Sequence, residues 1–467
     1  MTTKAIVLGI SIAALVAGAS TTAVAGGERT NIQGVGMART FVAHARGLDA
    51  VGINPANLAA EDGGRVTLGL MPIGLHVGSD FLTYGLYSKY FTGQESSTGR
   101  ASKHLTDADK RDILASFPDG VGRLSAHLEA RPVGLSVRLT EHSRLALTMT
   151  EYVMVNAMVP HDYLEFLFYG NTPGSAYDFG KTSVEASWLR EYALSFGTNL
   201  PAPSFLNSLS AGAAVKMVHG FGYFQVDRFA TSMLTGTDGI LHGSVDVHGR
   251  ASGIDPLTGA ENANFQPFPA PAGSGLAFDL GVASNVNDYL CVGMSVTDIG
   301  SVEWRSNVEE LVGSGQLEVT DPLSQTQRDS IENAVTGEHH PGTSFSTALP
   351  TTFRVGAAIE LHKTPLLKNF LWGEWTFACD YNQGLVDGAG ISTSGRLSMG
   401  LEFRPWGFLP LRTGASFGGV DHFNFALGFG LHFGVFDLDL ASEHLNFLLQ
   451  EESLSHGSIA MGMRIRI

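Results

Sequence analysis

Apolar and polar residues alternate along most of this chain. At its end, from Ile459 to Ile467, every second side chain is apolar and the residues between are small or cationic. Such a strand has one apolar and one polar face, because successive side chains of a strand point to opposite sides. The same alternation predicts further strands over 290–297, 352–361, 397–404 and 423–434.

The polar faces of these strands are rich in glycine, serine and threonine. The chain is 44% hydrophobic and only 16% charged, and it contains 57 glycines. A soluble sheet turns its apolar face to a core and covers its other face with charged residues. Glycine-rich faces favour the opposite arrangement, with the apolar face toward lipid and the polar face toward a lumen. The alternative is a large soluble sandwich or propeller with its apolar face inward.

The first 25 residues have the features of a secretory signal peptide. Lys4 supplies the positive charge, 5–19 is uncharged and mainly apolar, and Ala23-Val24-Ala25 is a small-x-small cleavage site. We expect cleavage after Ala25 and export to the cell outer membrane. Beyond this segment no apolar run approaches the ~18 residues of a membrane helix. A closed barrel is the other structure that satisfies its backbone groups in lipid.

The sequence therefore predicts an all-β fold, a closed antiparallel transmembrane β-barrel of about fourteen strands, with sixteen as the alternative count. The last strand should pair with the segment Val66–Leu70 and close the ring. Long connections should lie together on the outer side of the barrel. They are expected at about 95–120, 160–182, 250–272 and 305–350. Helices are expected within them at 105–117, 162–169 and 324–335.

Five large aromatic side chains lie close to predicted strand ends. Because Trp rings favour the boundary between lipid and water, we expect these residues to form interfacial girdles. They are Trp304, Trp372, Trp375, Trp406 and Phe408.

If the apolar faces point to lipid, nine charged residues point into the lumen. They are Arg354, Glu360, Glu402, Arg404, Arg412, Asp437, Asp439, Arg464 and Arg466. Asp437 and Asp439 should lie opposite Arg464 and Arg466. Two interpretations remain open: salt bridges that stiffen the wall, or a ring of charge that selects a substrate.

The segment 34–59, before the first predicted strand, is rich in glycine and alanine and ends in Asn54-Pro55-Ala56-Asn57-Leu58. It resembles the N-terminal region of outer-membrane barrels of the long-chain fatty-acid transporter (FadL-like) superfamily. In that superfamily a similar segment, ending in Asn-Pro-Ala, folds into the lumen as a hatch. A closer likeness is to uncharacterised barrels related to the superfamily. It extends over 84–93, 105–118, 170–180 and 275–304.

The resemblance implies a hatch over 26–62, a barrel over 63–467 and passive uptake or binding of hydrophobic small molecules such as fatty acids. The hatch residues it singles out are Gly34, Gly36, Asn54, Pro55 and Asn57. On turn chemistry alone, Asn54-Pro55 is an ordinary turn or helix start. The alternative function is a non-transporting scaffold or a component of a secretion or surface-attachment complex, with 250–272 and 305–350 as its partner surfaces.

Other chemistry is not indicated. The formal net charge of −16 argues against nucleic acid as a partner. Residues 414–418 match G-x-S-x-G, but Ser416 lies within strand alternation and lacks the strand–turn–helix context of a nucleophile. His339-His340 has no spaced ligand partners, so no metal is predicted, and no cofactor or enzyme activity is expected. Cys291 and Cys379 lie on different predicted strands.

Overall fold

The protein is described by a computed structural model. It covers residues 30–467 except 61–62, 97–98, 102, 171, 254–268, 321–324, 326, 328–336, 387–392, 420–422 and 446–454. The predicted signal peptide and its cleavage site lie outside the described residues.

Fourteen antiparallel strands form a closed ring in the described part of the chain. The last strand pairs with the first, with Thr67 opposite Arg466 and Leu68 opposite Ile465. The predicted barrel, its strand count of about fourteen and its closing pair are confirmed. In chain order the strands are β1 (Val66–Ser79), β2 (Val121–Arg138), β3 (Ser143–Pro160), β4 (Ser183–Leu200), β5 (Ser208–Phe229), β6 (Gly273–Asn285), β7 (Leu290–Trp304), β8 (Thr352–Glu360), β9 (Glu374–Gly384), β10 (Arg396–Arg404), β11 (Leu411–Gly418), β12 (Phe423–Phe433), β13 (Phe436–Ser442) and β14 (His456–Arg466).

The four longest connections lie at the same end of the ring. The long ones span 80–120, 161–182, 230–272 and 305–351, and we call their side the loop end. Both the start of β1 and the end of β14 lie at the other side, the turn end. Short strands extend the wall beyond the ring at the loop end. The longest two, Leu241–Ser252 and Val308–Val319, pair along their whole length.

Four short α-helices occur in the described residues: α1 (Ile32–Val35), α2 (Tyr84–Tyr90), α3 (Asp107–Leu114) and α4 (Asp162–Tyr169). Helix α3 begins where a capping box predicts it, because the Thr106 side chain accepts from the Asp109 N–H and the Asp109 carboxylate accepts from the Thr106 N–H. Helix α4 also lies where a helix is predicted. The third expected helix, over 324–335, falls almost entirely outside the described residues.

The outer surface of the ring is apolar. Leu147, Leu194, Val215 and Phe278 face outward in register on four neighbouring strands, and each is close to half exposed. The residues next to them in sequence, such as Ser195, face inward and are buried. The apolar faces therefore do not meet a core, and the soluble sandwich alternative is wrong.

No α-helix among the described residues is both long and apolar enough to cross a membrane.

The aromatic residues divide between two places. Trp372, Trp406 and Phe408 are exposed at the turn end, and Trp375 stacks on Phe403 with ring centres 4.0 Å apart. Trp304 is 0% exposed and packs inside the protein near the loop end. Its assignment to an interfacial girdle is wrong, because its position at a strand end places it beneath the loop-end connections.

Candidate functional site

The N-terminal segment, residues 30–60, lies inside the ring. Every one of its residues is buried or half-buried. Its contacts run around the inner wall, from Ile32 beside Gly462 of β14, through Met37 beside Gly400 of β10, to Pro55 beside Gly197 of β4. The segment therefore occupies the lumen between the loop end and the turn end.

Glycine in the wall makes this close contact achievable. A Cβ atom at Gly400 would lie 2.7 Å from the Met37 Cβ, and one at Gly197 would lie 2.6 Å from the Pro55 carbonyl oxygen. Real Cβ atoms do not approach so closely, so a larger residue would displace the segment. The other wall glycines in contact with the segment are Gly69, Gly74, Gly134, Gly212, Gly281, Gly293, Gly356, Gly414, Gly428 and Gly462. The wall is thus shaped to fit a backbone.

Wall carboxylates bind the segment along its length. The Asp380 carboxylate accepts hydrogen bonds from the Phe41 and Val42 N–H groups at 2.5 and 2.8 Å. The Glu129 carboxylate accepts from the Thr30 N–H at 2.5 Å, and Asp439 accepts from the Gln33 side chain at 3.2 Å. These charge-assisted bonds are stronger than neutral ones and position the segment.

Two ion pairs complete these tethers. The Arg39 guanidinium donates to both carboxylate oxygens of Glu443, just after β13, at 2.9 and 3.1 Å from its Nε. Burial raises the pKa of Glu443, but the Arg39 charge outweighs it and holds the pKa below its usual range. The second pair joins Asp49 of the segment to Arg464 of β14.

The residues singled out by the family resemblance all lie in this segment. The buried Asn54 side-chain amide donates to the Val282 carbonyl oxygen of β6 at 3.1 Å, and its oxygen accepts from the Ala56 N–H at 3.2 Å. Asn54 thus caps a 3-10 helix, Pro55–Ala59, and also binds the wall. Within the segment, Asn57 donates to the Val42 carbonyl oxygen at 2.8 Å.

Gly34 and Gly36 make different contacts. The Gly34 N–H donates to the Asn31 side-chain oxygen at 2.8 Å, which caps α1. A Cβ at Gly36 would lie 3.0 Å from the Cα of Gly428 in β12, so two backbones meet here. Whether the segment opens as a hatch stays a prediction.

Seven of the nine inward charges form one connected network. Its centre is Arg412, which donates to Glu402 at 2.6 Å and to Asp439 at 2.7 Å. The other contacts join Arg404 to Glu402 at 2.8 Å, Arg464 to Asp439 at 3.1 Å and to Asp437 at 3.4 Å, and Arg466 to Asp437 at 2.7 Å.

The N-terminal segment meets this network through His44, whose Nε2 lies 3.9 Å from Glu402. Burial lowers the pKa of His44 below its usual 6.5, although the nearby Glu402 raises it, so the imidazole is neutral at pH 7. The charges thus lie beside the segment; whether they also select a substrate remains a prediction.

Arg354 and Glu360 make other contacts. The buried Arg354 donates to the Thr297 hydroxyl at 2.5 Å on the neighbouring strand. Glu360, at the turn end of β8, pairs with Lys363. Alternation predicts an inward face for both residues but does not specify which groups they meet.

A cavity of about 430 Å³ lies on the loop-end side of the N-terminal segment. Its apolar lining comes from Met154, Leu189, Tyr223, Trp304 and Leu349. Its polar lining includes Glu185, Gln225 and Arg250. The Tyr223 hydroxyl donates to Gln225 at 2.8 Å, and Arg250 donates to the same Gln225 oxygen at 2.8 and 3.1 Å. The cavity is therefore lined by both aromatic and polar side chains.

Sequence reasoning does not find this cavity, since its lining comes from seven separate stretches of chain. It also misses Lys216, which is fully buried on β5. The Lys216 ammonium lies 2.7 Å from Asp279 and 2.8 Å from Asp298, on the next two strands. Alternation places Lys216 and Asp279 on the inward faces of their strands, but it places Asp298 on the apolar face. Asp298 is buried because its backbone is left-handed, with a φ angle of 62°, which breaks the alternation.

One family model decides how the chain is classified. It matches residues 55–443, which include β1 to β13, and it describes a family of unknown function, DUF5723. The chain belongs to DUF5723. No curated protein matches this DUF5723 chain.

Solved structures with a similar fold include the Pseudomonas putida toluene transporter TodX. It is 14% identical, with a TM-score of 0.46, over 95% of this chain and 99% of TodX. A Pseudomonas aeruginosa FadL homologue is 12% identical, with a TM-score of 0.44, over 96% of this chain and 100% of the homologue.

In the described residues, Cys291 and Cys379 are both free thiols. Ser416 is buried on the inner wall, opposite Ser398 and Asn424 in the strand register.

Proposed function

We propose that this protein is an outer-membrane barrel that binds amphipathic or hydrophobic small molecules at its loop end and passes them inward past the N-terminal segment, which acts as a hatch. The observation that carries the proposal is the position of the segment in the lumen of a barrel that also has an amphipathic cavity near its loop end. TodX is described as a toluene transporter, and a hydrophobic cargo for this chain is our proposal.

Movement of the segment would break two kinds of contact. Its large apolar side chains, such as Phe41, Leu48 and Leu58, are buried in a cluster that includes wall residues. Polar tethers, among them Asp380 and the Arg39–Glu443 pair, bind it as well. The proposal therefore requires these contacts together to be weaker than the strand ladders, so that the segment opens while the ring stays folded.

The proposal requires lipid around the barrel, and Leu194→Arg tests this. Leu194 lies in the outward row of β4 and is half exposed. A charge at this depth should reduce the free energy of folding into vesicles by about 2–4 kcal/mol. The matched control is Leu167→Arg in α4, where an equally apolar side chain is more exposed but belongs to a loop-end connection. Denaturant titrations in lipid vesicles measure both. Equal effects of the two substitutions would contradict a lipid-facing row.

Arg250→Gln tests the cavity. Arg250 is the cationic group of the lining, and a charge-assisted bond to a ligand contributes about 1.5–3 kcal/mol. We expect the substitution to weaken binding of a long-chain aliphatic carboxylate roughly tenfold or more. Binding of the alcohol with the same chain length should not change.

The control for Arg250→Gln is Arg228→Gln, an exposed arginine near the end of β5 that pairs with Asp246. Titration of both ligands against the detergent-purified protein gives the affinities. Unchanged carboxylate binding in Arg250→Gln, or the same loss in Arg228→Gln, would count against the cavity as the binding site.

The second candidate, a non-transporting scaffold, is favoured by the strands that extend the wall at the loop end. The strand Val308–Val319 pairs there with Leu241–Ser252 and with Glu338–Pro341. A stoichiometric partner that co-purifies through this extension, together with no ligand binding at the cavity, would favour the scaffold.

A further inference from the structure

Three histidines stack beside a glutamate near the loop end, outside the cavity and the charge network. His76 belongs to β1 and His456 to β14, while Glu443 and His444 directly follow β13. The rings of His76 and His444 are stacked at 4.4 Å between centres, 7° from parallel. His456 stacks on His444 at 4.9 Å.

The backbone at His444 has a conformation that side-chain packing alone does not require. Its φ angle is 61°, a left-handed conformation that is costly for a residue with a Cβ. The His444 N–H donates to the Asn424 side-chain oxygen at 2.6 Å, which holds this conformation. As a result the side chains of Glu443 and His444, neighbours in sequence, are both buried inside the barrel instead of alternating. Strain of this kind is typical of functional sites.

Ligand atoms from these side chains already converge. One atom each from His76, Glu443 and His444 lie within 4.8 Å of one another. All three residues are buried. The His76 Nε2 atom is buried and makes no hydrogen bond to any described residue. A buried ring nitrogen without a partner is costly unless a ligand satisfies it.

We propose that His76, Glu443 and His444 form a binding site for a divalent transition-metal ion of the zinc class, with His456 as a neighbouring fourth donor. Neutral imidazole and carboxylate are ligands that Zn²⁺ accepts in tetrahedral sites. Zinc at about 2.0–2.1 Å from each ligand spaces them roughly 3.4 Å apart, so the side chains close by about 1 Å on binding. Imidazole disfavours Mg²⁺ and Ca²⁺, which prefer oxygen.

Metal binding would act on the N-terminal segment through Glu443. The same carboxylate accepts hydrogen bonds from Arg39 of the segment. A metal ion that takes a Glu443 oxygen competes with Arg39 and weakens this tether. The site is therefore a metal-sensitive contact between the wall and the segment. This consequence rests on the proposed hatch, whereas the binding site does not.

The test is a Zn²⁺ titration of the full-length mature protein in mild detergent, in competition with a chromophoric chelator. We expect one ion per chain. His76→Gln and His444→Gln should each weaken binding by more than the roughly 10–100-fold that the loss of an outer-shell partner causes. Arg39→Gln should strengthen it, because the competitor for Glu443 is gone. Mg²⁺ should not bind at the same concentration.

The control is His161→Gln, because His161, Asp162 and Glu165 form the other described group with ligand spacing, in a half-buried loop-end position. Zinc binding that survives His76→Gln and His444→Gln but disappears in His161→Gln would overturn the proposal, as would the absence of a bound ion. Folding of each variant is checked by heat-modifiable migration in gels. If a histidine variant does not fold, the Arg39→Gln result and the Zn²⁺ over Mg²⁺ preference of the unmodified protein decide the question. Vesicle permeability with and without Zn²⁺ tests the hatch separately.

Discussion

Replacement of Gly197 by valine is expected to force the N-terminal segment off the wall and to raise the permeability of vesicles that contain the protein. A Cβ at this position would lie 2.6 Å from the Pro55 carbonyl oxygen, 2.8 Å from the Leu58 Cβ and 3.0 Å from the Ala59 N. Two of these atoms belong to backbone, which cannot rotate away as a side chain can. Overpacking costs typically about 1–3 kcal/mol.

At about 2 kcal/mol, the undocked population rises roughly 30-fold. Gly400→Val, which would press on Met37 from a distant strand of the ring, should have a similar effect. Solute flux into vesicles or single-channel conductance reports the change.

The matched control is Gly457→Val on β14, where an added Cβ would meet no atom within 4 Å. It should leave both folding and permeability unchanged. A second control combines Gly197→Val with deletion of the segment. If the valine acts through the segment, it should not raise permeability further once the segment is deleted, because the two changes remove the same contact. Equal permeability of Gly197→Val, Gly457→Val and the unmodified protein would contradict docking on the glycine wall.

The barrel itself was predictable because alternation is a local property. Ile459 to Ile467 shows an apolar and a polar face without knowledge of its neighbours, and pairing of the last strand with the first follows from closure. The capping box at Thr106 and Asp109 is also local, since the two residues are three positions apart. These features need only the period of the strand and the chemistry of a helix start.

The site depends on contacts between residues far apart in the chain, which alternation does not specify. Trp304 is near a strand end, as an interfacial tryptophan would be, but a connection covers it and the Trp304 N–H donates to Thr347 at 2.9 Å. The cluster of His76 and His444 forms because the ring brings β1 and β13 close and because one left-handed residue breaks the alternation. Neither the covering of Trp304 nor the histidine cluster corresponds to a pattern that can be recognised in a single sequence.

The glycines on the inner wall were predictable from the sequence only in part. Their presence on polar faces is visible in the sequence, and it favours a lumen. That twelve of those in the described part of the chain lie against one segment follows only from the structure. The segment and the wall are complementary because small residues occur on both sides, from Gly36 and Ala38 in the segment to Gly414 and Gly428 in the wall.

Deletion of residues 26–62 should have the largest effect on function. Residues 30–60 lie in the lumen and contact strands all around the ring. The strands that remain keep their ladder hydrogen bonds, so we expect the ring to fold. Wall carboxylates such as Asp380 then face water in an open lumen.

We would compare the conductance of this deletion variant in planar bilayers with that of the protein that begins at residue 26. We expect a large, persistent open-channel conductance in the folded deletion variant and a low, mostly closed conductance in the protein that keeps residues 26–62. Equal conductance of the two folded proteins would contradict the claim that the N-terminal segment closes the barrel.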